Sequence, residues 1–523
     1  MLEFTTSMTN PRRTSLLILA ACLITGCASI DFDYPKTESR ALAPAETADT
    51  TLAATVRQLH GVQVAGESGF YVVEDGIDAL AIRLLMADQA ERTIDAQYYL
   101  IKSDTVGNLF IESLLHAADR GVRVRLLVDD MFTKGMDAEM AAVNSHPNFE
   151  IRVFNPFVQR SARQVDGITS FSRINRRMHN KSFTVDNQMT LVGGRNIADE
   201  YFGAHKDAKF GDLDVLGIGP VVAEISNMFD QYWNYPAAIP VPGFARMPDS
   251  PASLLPPLRD KLKATRLGLG NSSYAKAVHS QVLVTIEKDA DAFTWAQYTV
   301  AVDSPDKSIK SRARDAKSIR TPLIESLQSA EHELMLISPY FVPLTTGIRE
   351  IIALRERGVD VIIITNSLAA NNQKLVHAGY APSRKPLLQA GVHIFEVRAD
   401  AAVSGSEYVA EESARSTLHT KAFVVDRRQL FIGSFNFDPR SAFINTELGV
   451  IIDSPRLAKE FATLIDESLP TKAWEVFLNE DGKLRWRGMQ DGQVKITRKE
   501  PQTNAWQRFV AGFYRLLPIR GQL

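Results

Sequence analysis

Two imidazole–ammonium pairs stand at matched positions in this chain. His179 and Lys181 are followed by Asp186, Gly193, Gly194 and Asn196; His419 and Lys421 are followed by Asp426, Gly433, Ser434 and Asn436. Both copies read His-x-Lys-x-x-x-x-Asp and then Gly-(Gly/Ser)-x-Asn, with 17 residues from histidine to asparagine in each (196 − 179 and 436 − 419). The flanks, Ser182 to Val185 and Ala422 to Val425, are strand-like, and residues two apart on a strand share a face. Each copy therefore presents an imidazole beside an ammonium. The glycines let backbone approach a ligand closely, and the asparagine adds an amide donor. Two such strands facing each other would surround a small anion, and a phosphodiester fits. One imidazole can attack phosphorus and form a covalent intermediate; the other, protonated, can donate to the leaving oxygen. Lys181, Asn196, Lys421, Ser434 and Asn436 would hold the charged oxygens without a metal or other cofactor. No His-Glu-x-x-His, cysteine pair or Walker loop competes for these residues. A single His-x-Lys on a strand is ordinarily a surface feature; a duplicate with matched glycine and asparagine is not.

These paired motifs resemble the phospholipase D superfamily, which works through a phosphohistidine without a metal. The stretches Arg173 to Lys181, Gly193 to Phe202, Thr365 to Asn371, His377 to Tyr380 and Gly433 to Ser441 are similar to bacterial cardiolipin synthases, especially the cardiolipin synthase C type. The similarity runs from about residue 75 to the C-terminus. It implies His179 as nucleophile, His419 as general acid, and largely structural roles for Asp186 and Asp426. A catalytic histidine also needs a carboxylate on its other ring nitrogen. Glu447 and Asp212 occupy the places where the superfamily puts those acids, with Asp214 as a rival to Asp212. The resemblance implies phosphatidyl transfer that makes cardiolipin from phosphatidylglycerol and a second phospholipid, phosphatidylethanolamine being one candidate. Attack by water instead would make the protein a phospholipase D. A nuclease of the same superfamily and a non-catalytic envelope lipoprotein are the remaining readings. The formal charge of −2 argues against a nucleic-acid partner.

The motifs sit within a longer repeat. Ala90-Glu91 leads toward Tyr98-Tyr99 as Ala330-Glu331 leads toward Tyr340-Phe341. Arg120 to Val128 matches Arg357 to Ile364, and Glu150 to Phe154 matches His393 to Val397. The offset is 240 residues, both between the openings (330 − 90) and between the histidines (419 − 179). Strand, helix and strand in alternation read as α/β layering. We expect two similar phospholipase D-like domains, each a mixed β-sheet flanked by helices, related by a pseudo-two-fold axis with the active site at their interface. The first spans 51–235 and the second 326–523. Prolines 236, 240, 242, 248, 251, 256 and 257 mark 236–325 as a linker and a segment of uncertain character.

The termini suggest a location. Arg12 and Arg13, the apolar run Leu16 to Ile24, and Thr25-Gly26-Cys27 resemble a bacterial lipoprotein signal over residues 1–26. Cys27 would carry the lipid, with Met8 as an alternative start. Ala28-Ser29 after it favours the outer membrane over the inner, facing the periplasm. Residues 27–50, rich in Ala, Thr, Pro and Glu, read as a flexible tether to the membrane surface. At the other end, Trp506, Phe509, Val510, Phe513 and Leu517 lie near one helical face beside Arg508, Arg515 and Arg520. That face suits either a membrane interface or packing on the domain. The basic cluster Arg160, Arg163, Arg173, Arg176 and Arg177 suits either a solvated loop or contact with an anionic headgroup.

Overall fold

The computed structural model describes residues 30–59, 66–203, 208–270, 272–278, 282, 286, 289, 291–401, 415–490, 492–517 and 520–523. Cys27 and the proposed signal peptide lie outside these residues.

Buried, β-branched runs build the sheet in each half. In the first, Thr93–Tyr98, Arg123–Asp129 and Phe149–Phe154 pair in parallel, with crossover helices Thr105–Asp119 and Asp137–Asn144 between them. The motif strand Ser182–Val185 joins antiparallel to Thr93–Tyr98, followed outward by Met189–Gly193, Asp214–Ile218 and Ser68–Val73. The second half repeats this order. Glu333–Ile337, Asp360–Asn366 and His393–Val397 are parallel, and Ala422–Val425, Gln429–Gly433, Leu448–Asp453 and Thr294–Val302 extend the other side. A parallel strand trio with covering helices and an antiparallel motif hairpin is thus the unit that occurs twice.

Thr294–Val302 joins the two. Its first residues pair with Ser68–Phe70 and the remainder with Leu448–Asp453, making one continuous sheet. The segment expected as a linker therefore holds the first strand of the second half. It also holds Ala238–Pro240, which edges the first sheet beside Arg152–Phe154. Of the prolines, Pro251 opens the short helix Pro251–Leu254, and Pro256 and Pro257 lie in the first turn of helix Leu255–Leu267, where a missing N–H costs nothing.

Two outer cores lie under the crossover helices of the separate halves. A central core combines Met178, Val192, Val215 and helix Pro220–Trp233 with Ile337, Val424, Val450 and helix Pro455–Lys472. The halves thus share apolar packing as well as strand pairing, which fixes their mutual placement.

Residues 34–50 are packed rather than free. Arg152 donates to Thr37 O at 2.6 Å, Arg125 to Ser39 O at 3.0 Å, and Lys36 Nζ to Ala238 O at 3.0 Å. Ala41, Thr47 and Thr50 are buried. The expected tether is a strap here, because its carbonyls satisfy buried arginine donors that would be costly to leave unpaired.

Candidate active site

Each motif aspartate closes a tight hairpin. Asp186-Asn187 and Asp426-Arg427 all have positive φ, near 50°, as the two central residues of a type I′ turn require, each turn being closed by the N–H of the next residue, Gln188 or Arg428. Asp186 then accepts the backbone N–H of Glu91, Arg92 and Thr93, at 2.7 to 3.0 Å. Asp426 accepts those of Glu331, His332 and Glu333, at 2.7 to 2.9 Å. These acids bind the motif hairpin to the opening of the neighbouring strand, and among the described residues neither has a hydrogen bond to His179 or His419.

The histidines are held across the repeat. His179 N donates to Thr446 O at 2.9 Å and Thr446 N to Arg177 O at 2.9 Å. In the mirror arrangement, Arg415–Leu418 pairs in parallel with Ala208–Gly211, and His419 N donates to Gly211 O at 2.7 Å. The residue before each histidine thus lies beside the residue before the other half's acid. His179 Nδ1 lies 2.8 Å from Glu447 Oε2, and His419 Nδ1 lies 2.5 Å from Asp212 Oδ2. Each histidine takes its carboxylate from the opposite half, as a two-fold relation dictates. Asp214, the rival candidate, pairs instead with Arg83 at 2.9 Å and Arg195 at 3.3 Å.

His179, Lys181, His419 and Lys421 are all buried. Burial pushes His179 down to about 4, with Lys181 adding to the fall and Glu447 opposing it. Burial and Lys421 push His419 down to about 3 against the pull of Asp212. Lys181 falls to about 7 and Lys421 to about 8, again chiefly through burial. Burial favours the neutral carboxyl at Glu447 and Asp212, yet the cations beside them hold both below the ordinary range. Each histidine also feels the lysine of the other half, so the groups form one electrostatic unit. Near neutral pH both imidazoles are neutral. An anionic phosphate entering between them would raise both, and would restore the lysine charges.

The asparagines and glycines take more specific roles. Asn196 Nδ2 donates to Tyr201 OH at 2.9 Å. The Oδ1 atoms of Asn196 and Asn436 are buried without a hydrogen-bond partner, leaving polar capacity inside the site. Gly194 packs against Asp212, where an added Cβ would lie 2.1 Å from Oδ1; one at Gly433 would lie 2.5 Å from Leu448 O. These close approaches are to the chain's own supports rather than to a ligand. Ser434, expected as a phosphate contact, donates to Glu447 Oε2 at 2.5 Å and accepts Leu448 N at 3.0 Å. Its hydroxyl is spent on the acid. Lys181 Nζ lies 2.5 Å from His179 O, and Lys421 Nζ lies 2.7 Å from His419 Nδ1.

Several neighbours were not singled out from the sequence. Ser441 Oγ donates to Glu447 Oε1 at 2.7 Å. Asp303 Oδ2 accepts Glu447 N at 3.0 Å and is paired with Lys307 at 2.8 Å. Asp129 accepts Met178 N at 2.9 Å, just before His179. Tyr99 meets the His179 ring edge-on at 4.8 Å, and Tyr201 meets that of His419 at 5.0 Å. The signal for Tyr99 was its place at the end of a repeated strand. Asp303 carried none, because its segment had no repeat partner in sequence. The basic cluster is also engaged internally. Arg160 and Arg163 bind Asp130, Arg173 binds Asn155, Arg177 binds Asp129, and Arg176 donates to Lys307 O. It is not a solvated loop, although Arg173 Nη2 and Arg177 Nη2 are buried without a hydrogen-bond partner.

Comparison with known proteins agrees with this geometry. A family model described as "Cardiolipin synthase, PLD-like domain" matches residues 84–233 and 323–469, more than half of the chain. The chain belongs to this family. It is 38% identical to cardiolipin synthase C of Escherichia coli over 463 residues, covering 87% of this chain and 96% of that protein. A Staphylococcus aureus cardiolipin synthase is 25% identical over 371 residues, covering 70% of this chain and 60% of that protein. Among solved structures, phosphatidylserine synthase of Haemophilus influenzae matches with a TM-score of 0.55 at 13% identity, covering 91% of this chain and all of that one. The last likeness is one of fold. One matched segment falls in each half of the sheet, so this cardiolipin synthase family member is a duplicated phospholipase D-like α/β enzyme.

Proposed function

We propose that this family member is a phosphatidyltransferase that makes cardiolipin through a phosphatidyl-histidine intermediate. The reciprocal pairing of His179 with Glu447 and His419 with Asp212 carries the reading, because it supplies two oriented imidazoles to one site. His179 Nε2 attacks the phosphorus of a phospholipid, and the bond to the headgroup oxygen breaks. His419, protonated once the anionic substrate is bound, gives its proton to that oxygen. Lys181, Lys421 and the two asparagines stabilise the equatorial oxygens. A hydroxyl of phosphatidylglycerol then loses its proton to neutral His419 and attacks phosphorus, releasing His179 and cardiolipin. Phosphatidylglycerol or phosphatidylethanolamine serves as donor. Water in place of the second lipid would give phosphatidic acid. A lipid anchor on Cys27 would hold the enzyme at the periplasmic face of the outer membrane.

Mass spectrometry of lipids after incubation with phosphatidylglycerol, with and without phosphatidylethanolamine, tests the reading. Cardiolipin that disappears in His179→Ala and His419→Ala supports it. Phosphatidic acid as the sole product would make the enzyme a hydrolase.

A further inference from the structure

Helix Ala505–Tyr514 docks on the second half through helix Lys374–Tyr380 but leaves its apolar side outward. Ala511 is buried, whereas Trp506 is 67% exposed, Phe509 62% and Phe513 52%, and Leu516 follows them into solvent. The packing that the sequence allowed is thus seen on one side of the helix, and an apolar face is left on the other. Residues 501–523 contain three arginines and no acid.

This helix is linked to the surroundings of His419 through the segment it docks on. Asn372, just before the helix on which it docks, accepts a hydrogen bond from Tyr340 OH at 2.9 Å, and the Tyr340 ring lies 6.5 Å from that of His419. A second apolar edge lies beside His179. Phe132 is exposed and meets Tyr99, which meets His179. Arg163, opening helix Arg163–Thr169, donates to Met131 O next to Phe132. That pins exposed Ile168 and Phe171 to the same edge. The C-terminal residues connect the two edges. Asn175, which follows Phe171–Ile174, donates to Gln522 at 3.0 Å, and Arg440 N donates to Leu523 O at 2.9 Å. Large exposed apolar side chains otherwise invite aggregation. Here Trp506, Phe509, Phe513, Ile168 and Phe171 stand on elements linked to the surroundings of the two histidines.

We propose that these edges form a single docking surface for an anionic lipid bilayer, seating the catalytic cleft against the headgroup layer. Trp506, Phe509 and Phe513 would enter the interface while exposed Arg515 meets lipid phosphates. Ile168 and Phe171 would enter on the other side. A phospholipid could then move from the bilayer to His179 without its chains crossing water. The inference rests on the phospholipid reading above. It adds a surface that acts independently of any lipid on Cys27.

The test uses the full chain carrying Cys27→Ser, so that no anchor masks the surface, and vesicles of phosphatidylcholine with or without phosphatidylglycerol. The parent should bind the phosphatidylglycerol vesicles. Trp506→Ser/Phe509→Ser/Phe513→Ser should bind them about tenfold or more weakly, and Ile168→Ser/Phe171→Ser should show a smaller loss. Both variants should retain parental turnover of a dispersed short-chain phosphatidylglycerol. Parental vesicle binding by the triple variant would overturn the proposal. So would a parent that sediments as a dimer where the triple variant is a monomer, since the face would then belong to a second copy. Helix-dependent binding with no phosphatidyl transfer on any lipid would leave the surface standing and remove the proposed reaction.

Discussion

Glu447 and Asp212 do the same work with different lengths and different supports. Glu447 receives the hydroxyls of Ser434 and Ser441. Asp212 lies against Gly194, at the position that matches Ser434, and accepts Leu213 N. A longer acid with a serine and a shorter acid with a glycine are two ways to fix one oxygen on an imidazole. Glu447→Gln preserves the shape but removes the charge that orients and stabilises the His179 imidazolium. We expect kcat for phosphatidyl transfer to fall by about 10²-fold or more with little change in melting temperature; unchanged kcat would remove Glu447 from this role. The pH dependence of kcat/KM follows from the free enzyme. His179, held near 4, must be neutral to attack, so this group costs activity only below that value, whereas His419, held near 3, must take up its proton with the substrate, so kcat/KM declines as pH rises above it. Lys181, held near 7, must be charged to stabilise phosphate, so activity should decline as pH rises through 7 to 8. A pH–rate profile with its acid limb near 6.5 would show that burial does not control the nucleophile.

At the scale of elements, the motif hairpin depends on an aspartate that never touches substrate. Asp186 and Asp426 each combine a left-handed turn with three backbone acceptances. Alanine at either position would leave those donors unpaired and strain the turn, costing about 2–4 kcal/mol. Thermal unfolding should therefore shift downward in Asp426→Ala, while kcat of the folded enzyme at low temperature stays near parental. A large kcat loss without a thermal shift would give that aspartate a chemical role. Asp438 offers a pH test on the short helix Pro439–Phe443, whose first turn it caps through Ser441 N. Burial raises its carboxyl to about 7. A raised native value means the folded state binds the extra proton, so stability declines as pH rises from the unfolded value near 3.8 through 7 and is level above. Asp438→Asn keeps a cap without that titration, so its melting temperature relative to the parent should rise across that window. These elements were legible to different degrees. The paired strands and motif hairpins announced themselves because both alternation and chemistry repeat with one offset. Strand Thr294–Val302 did not, because its counterpart in the first half, Ser68–Val73, lies off the 240-residue offset (294 − 68 = 226). The strap at 34–50 read as a tether because its stabilising groups are carbonyls, which no side-chain pattern reveals.

The whole molecule decides the property that no local pattern encoded, which is the crossing of the acids. Asp212 follows His179 by 33 residues (212 − 179), and Glu447 follows His419 by 28 (447 − 419). Sequence order suggests that each acid serves the histidine before it; the structure assigns each to the other half. The strand Thr294–Val302, the parallel pairing of Ala208–Gly211 with Arg415–Leu418, and the shared central core hold the halves in the one arrangement that permits this. Neither half alone contains an oriented histidine. Both pairs are nevertheless completed within one chain, so two differently damaged chains should not repair each other. Equimolar His179→Ala and His419→Ala proteins, mixed and incubated with phosphatidylglycerol, should form no more cardiolipin than either variant by itself. Activity that appears on mixing and grows with protein concentration would mean that halves exchange between chains, and that the crossed site is assembled between copies rather than within one.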